Sequence, residues 1–140
     1  MTTPRTDLSP LTGGWVNFDT NAAGIRLVDA QEDGGRLVLN IAEGGPGVPD
    51  SPTALFATPL VDAGGDGPAV GFLAEGRLGA KDAILCGYLN RGLLTIDVHT
   101  TFGRRRADPG DQRVAPVMYR AHFYRPDLEQ PPKEGGALLP

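Results

Sequence analysis

The chain has 140 residues, 40% hydrophobic and 21% charged, with a formal net charge of −4. That length suits one domain with its own core, and the composition lies outside the disordered range. The acidic balance lacks the basic face of a nucleic-acid binder, and the single cysteine, Cys86, permits neither an intrachain disulfide nor a cysteine-built zinc site.

Residues 1–12 are polar with two prolines and read as disordered. They contain no apolar core of a signal peptide, and no later stretch has the length of a membrane helix. The expectation is a cytoplasmic protein with no membrane partner. The folded domain is expected over 13–126. Residues 127–140, with Pro131-Pro132 and Gly135-Gly136, read as a flexible tail.

Between those ends no long window shows helical periodicity. Apolar residues come in short runs or alternate, and Gly, Pro, Asn and Asp separate them, which is the strand-and-turn pattern. Eight strands are predicted, over residues 15–20, 25–30, 36–42, 53–59, 69–75, 82–89, 93–102 and 115–125. Asp33-Gly34-Gly35 and Asn90-Arg91-Gly92 are hairpin signals, because Gly and Asn tolerate positive φ. Residues 44–52 form a longer Pro-rich loop, and Gly64 to Pro68 another turn. Residues 103–114 form a polar loop around Arg104-Arg105-Arg106, read as a solvated tip. Every link is too short for a crossover helix, so consecutive strands must be antiparallel neighbours. The expected fold is all-β, an antiparallel eight-stranded up-and-down barrel, with a sandwich as the alternative way to protect the edges.

Strand alternation sorts side chains into two faces. On the first strand Trp15, Asn17 and Asp19 oppose Val16 and Phe18. On the second, Ile25 and Leu27 oppose Arg26 and are expected inside. On the third, Leu37, Leu39 and Ile41 form the apolar face. The seventh divides Leu94, Ile96, Val98, Thr100 and Phe102 from Thr95, Asp97, His99 and Thr101. The last divides Val117, Tyr119, Ala121 and Phe123 from Met118, Arg120, His122 and Tyr124. Two arrangements stay open. The apolar faces point inward, or Asp97, His99, Arg120 and His122 line a polar pocket and a second copy covers apolar outer walls.

His99 and His122 are the only histidines and fall on adjacent predicted strands. Imidazole titrates near neutrality and is the commonest general base. With Tyr119 as a further proton-handling group, these are the candidate catalytic residues. Trp15, Asn17, Asp19, Tyr88 and Phe123 are the candidate ligand-binding residues. Cys86, in an apolar run, reads as an inert buried thiol. No metal-ligand spacing, nucleophile elbow or phosphate loop occurs, and no cofactor is expected.

The opening Gly13-Gly14-Trp15-Val16-Asn17 resembles that of the calycin group: lipocalins, fatty-acid-binding proteins and avidins. The resemblance covers the strand count and a few residues at the two ends of the domain. It implies a Trp that plugs one barrel end and an arginine from the last strand packed across it, for which Arg125 is placed. It also implies, as in avidins, that Asn17 points at a ligand. Residues 87–94 and 122–125 look like segments of small actinobacterial proteins, and arginine outnumbers lysine 11 to 2, as in a GC-rich genome. A comparable small barrel serves as cyclase in some polyketide pathways, including the spirotetronate cyclases. The leading expectation is a barrel that binds a hydrophobic small molecule and acts as a cofactor-independent cyclase or isomerase. A non-catalytic ligand-binding or sequestering protein is the alternative. A third reading is an interaction module with a solid interior.

Overall fold

The structure, a computed structural model, describes residues 6–19, 24–44, 52–62, 64, 65, 67–102 and 117–126. Eight strands follow in order: β1 (Gly13–Asn17), β2 (Ile25–Asp33), β3 (Arg36–Glu43), β4 (Thr53–Leu60), β5 (Gly71–Leu78), β6 (Lys81–Asn90), β7 (Leu93–Phe102) and β8 (Val117–Tyr124). Each pairs antiparallel with the next, and β8 returns to β1, so the sheet closes into an up-and-down barrel. Closure gives every strand a neighbour on each side.

The tight hairpins follow from local chemistry. Gly34 and Gly35 both have positive φ, the type I′ requirement for joining two twisted strands. The β6–β7 turn meets the same requirement with Arg91 (φ 57°) and Gly92 (φ 82°). Asn90, the residue better suited to that conformation, sits one place early as the last residue of β6. The link between β5 and β6 is shorter than expected, only Gly79 and Ala80. Gly76 does not break β5, because the space its Cβ would occupy is filled by Leu55 from β4.

Inward faces are apolar. Leu37, Leu39 and Ile41 of β3, Ala83 and Leu85 of β6, Leu94, Ile96 and Val98 of β7, and Ala121 and Phe123 of β8 are buried. The apolar-inside arrangement of the last two strands therefore holds. On β2 the expected face is corrected. A register shift between Ile25 and Leu27 adds a residue, as a β-bulge does. Ile25, Val28 and Ala30 point inward, and Leu27 is 47% exposed.

Trp15 closes one end. It is buried, its indole Nε1–H donates to Leu11 O at 2.8 Å, and the Arg125 guanidinium lies 4.4 Å above its ring. Arg125 also donates to the backbone oxygens of Ser9 and Pro10. These contacts correct the expectation of disorder for part of the N-terminal segment. Leu8 and Leu11 belong to the core, and Asp7 bridges Pro68. Apolar burial, at about 25 cal/mol per Å², is what draws this segment onto the barrel end. Residues 1–5, the tail at 127–140 and the loop carrying Arg104-Arg105-Arg106 lie outside the described residues.

Candidate functional site

The opposite end is built differently, because β1 is short. Its pairing with β8 consists of Val16 with Tyr124 and Asn17 with Phe123, followed by a last bond from Phe18 N–H to His122 O at 3.0 Å. Beyond that point β8 has no strand neighbour on this side among the described residues. The gap is a cleft of about 680 Å³. Asn17, Lys81, Thr100, Tyr119 and Ala121 line it, and Phe18, Arg120 and His122 form its outer rim, with Asp19 and Gly24 beside them.

Two side chains hold its walls in place. Asn17 Nδ2 donates to Ile25 O at 2.8 Å, while its Oδ1 accepts from Asp19 N–H at 2.8 Å. The Tyr119 hydroxyl accepts from Ile25 N–H at 3.0 Å. Gly24 passes so close to that hydroxyl that an added Cβ would overlap it. Burial raises the Tyr119 phenol above its usual range; the Ile25 N–H opposes this and the Glu43 charge adds to it. At neutral pH the group is therefore a neutral O–H, and among the described residues no acceptor takes its proton.

Glu43 and Lys81 add a charge pair. Lys81 Nζ lies 3.0 Å from Glu43 Oε2, joining the ends of β3 and β6, which are not neighbours in the sheet. The pair thus crosses the barrel mouth, with Glu43 nearly buried at 10% side-chain exposure.

The structure brings four expected site residues to this cleft: Asn17, Asp19, Tyr119 and His122. The other four lie elsewhere. Trp15 plugs the far end, and Phe123 is wholly buried in the core. Tyr88 stands on the outer wall opposite Thr95. His99 is on the outer wall between Ile84 and Met118. The two histidines share no site: His122 Nδ1 pairs with Thr95 Oγ1 at 3.1 Å, and His99 borders a separate depression with Glu75 and Ile84. Asp97 is held by Arg120, Nε to Oδ1 at 2.7 Å, and this hydrogen bond lowers its carboxyl below the ordinary value. Cys86 is partly exposed on the outer wall rather than buried.

Gly24, Glu43, Lys81 and Thr100 were not singled out by the sequence reading. The signal was present for two of them. Glu43 continues the inward series Leu37, Leu39, Ile41, and Lys81 begins the series Ala83, Leu85. A charge at the end of an inward apolar face marks a barrel mouth. Among the described residues no three His, Cys, Asp or Glu side chains come together as a metal site. No helix there is long and apolar enough to cross a membrane. No model of a known protein family, no curated protein and no solved structure matches the chain.

Proposed function

We propose that the cleft beside β8 binds a hydrophobic small molecule and that the protein acts on it as a cofactor-independent cyclase or isomerase. The observation that carries this reading is a mostly apolar cavity with a neutral hydroxyl donor, Tyr119, fixed at its wall. Ligand sites commonly have this make-up, an apolar lining with a few placed polar groups. Because the Tyr119 oxygen already accepts from Ile25 N–H, its own O–H is oriented and strengthened as a donor. Donated to a ligand carbonyl, it would polarise that carbonyl toward attack by another part of the same molecule. Ring closure or isomerisation rearranges bonds within one molecule, so no second substrate is needed. Confinement in a near-attack geometry supplies further acceleration. A polyketide-like chain with several carbonyls fits this chemistry.

The non-catalytic reading has one observation in its favour. The expected bases do not converge: His99 lies outside the cleft and His122 is bonded to Thr95. Both readings share a first test. The apolar fluorophore 8-anilinonaphthalene-1-sulfonate should bind the protein, and Ala121→Trp, which fills the inner wall, should abolish that binding while leaving the far-UV spectrum intact. Equal binding by the two proteins would sink the ligand site. Turnover is then tested with a linear poly-β-ketone, looking for a product of unchanged mass that Tyr119→Phe no longer forms.

A further inference from the structure

We propose that the cleft takes its ligand as an added β-strand: an extended chain of peptide-like chemistry, bearing successive secondary amides, laid along the free edge of β8. The inference rests on the reading of the cleft as a ligand site, and it names a peptide-like occupant in place of the polyketide-like chain.

The edge is identified by hydrogen-bond parity. In an antiparallel ladder, alternate residues direct their N–H and C=O groups to opposite neighbours. Phe18 N–H donates to His122 O, so the backbone of His122 faces β1. Arg120 and Met118, two and four residues earlier, face the same way, while Tyr119, Ala121 and Phe123 direct theirs toward β7. β1 ends at Asn17, and among the described residues no strand pairs with Arg120 or Met118 on that side.

The other wall of the cleft is closed. Ile25, which begins β2, gives its N–H to the Tyr119 hydroxyl and its C=O to the Asn17 amide. Side chains thus satisfy the β2 wall and take up the groups with which β2 could have paired with β8. On one wall the Ile25 backbone groups are occupied, and among the described residues the facing wall presents an unpaired strand edge at Arg120 and Met118. The unpaired edge from Met118 to Arg120 spans about 7 Å at roughly 3.3 Å per residue, and Phe18 closes it at His122.

A hydrocarbon ligand lying there would strip water from these backbone groups without replacing its hydrogen bonds, which is unfavourable. An extended amide chain repeats donors and acceptors at the spacing of the edge and replaces them, the mode by which sheets capture peptides. Its side chains would alternate. One set would enter the barrel mouth toward Tyr119, Ala121 and Thr100, and the other would lie over Phe18 and Arg120.

The test uses the full ¹⁵N-labelled chain and a blocked peptide, acetyl-Thr-Val-Thr-Val-Thr-amide, beside its fully N-methylated counterpart. The unmethylated peptide should slow amide exchange at Met118 and Arg120 about tenfold or more, and the methylated one should not. Arg120→Pro removes one edge N–H and leaves the β7 ladder intact; Arg120→Ala removes the same side chain but keeps the N–H. The proline variant should bind the peptide about tenfold more weakly and the alanine variant within about twofold of the parent. Equal affinities for the two variants, equal binding of the methylated peptide, or protection located elsewhere would overturn strand addition. If the proline variant does not fold, the exchange pattern of the parent protein decides alone. Binding of 8-anilinonaphthalene-1-sulfonate without peptide binding refutes this inference and leaves the ligand-site reading standing; failure of both refutes both.

Discussion

Tyr119 links the packing of the barrel mouth to its chemistry. Replacing it with phenylalanine leaves the Ile25 N–H without its acceptor. We expect a loss of about 1–3 kcal/mol in urea unfolding. Gly24→Ala should destabilise through overlap with the Tyr119 hydroxyl and ring edge, and much of that cost should vanish in a Tyr119→Ala background, which removes the ring. Additive effects in this double-mutant cycle would refute the contact. The raised Tyr119 phenol contributes stability that is complete below the unfolded value of 10.0 and fades as pH rises through the folded one. Asp97 works in the opposite direction. Its folded carboxyl lies below the reference value of 3.8, so its contribution is present above that pH and fades as pH falls through the lowered value. The pair with Arg120 is solvent-facing, so the effect is small. Asp97→Asn should flatten the acid limb of a stability-against-pH curve only slightly. Tyr119 and Asn17 were legible in the sequence as candidate site residues, Asn17 through the resemblance, while the inward face of the last strand stayed open. Their partner was not, because a backbone group such as Ile25 N–H carries no residue-type signal.

At the scale of elements, most strands could be read from apolar alternation, and the misreadings occur where one residue changes the count. Leu27 alternates correctly with Arg26 in the sequence, yet the bulge before it turns it outward. The fifth strand was expected to end at residue 75, yet β5 runs through Gly76 to Leu78, and only Gly79 and Ala80 form the turn. Leu8 and Leu11 stand between prolines and polar residues and form no periodic run, so their burial against Trp15 depends on a distant surface. The β6–β7 hairpin yields a prediction of its own. Arg91 sits at φ 57°, in the left-handed region that costs most L-residues about 1–2 kcal/mol. Arg91→Gly removes that strain, offset in part by the greater freedom of glycine in the unfolded chain. A gain of about 0.5–1 kcal/mol, seen as a higher urea midpoint at unchanged slope, is expected. A lower midpoint would mean that Arg91 makes a compensating contact.

For the whole molecule, the seam between β1 and β8 joins the two ends of the domain and is the least local pairing in the barrel. Loop-closure entropy weighs most on such a contact, and among the described residues it consists of the pairs Val16–Tyr124 and Asn17–Phe123 with one further bond from Phe18 to His122. The hairpin of β6 and β7, by contrast, pairs continuously from Lys81–Phe102 to Asn90–Leu93. Local opening should therefore begin at the seam. The Trp15 end opposes that opening, because Arg125 lies over the indole and holds the backbone of Ser9 and Pro10. Native-state amide exchange should show the Val16 and Tyr124 N–H groups exchanging through a subglobal opening, while the central β6 and β7 amides exchange only on global unfolding. Arg125→Ala should lower the seam's opening free energy by more than it lowers global stability, since it removes the contacts that tie the end of β8 to Ser9, Pro10 and Trp15. Equal losses at the seam and in the β6–β7 ladder would show that the barrel opens as one cooperative unit. The cleft beside β8 would then be a fixed feature of the folded wall rather than the first place where the wall gives way.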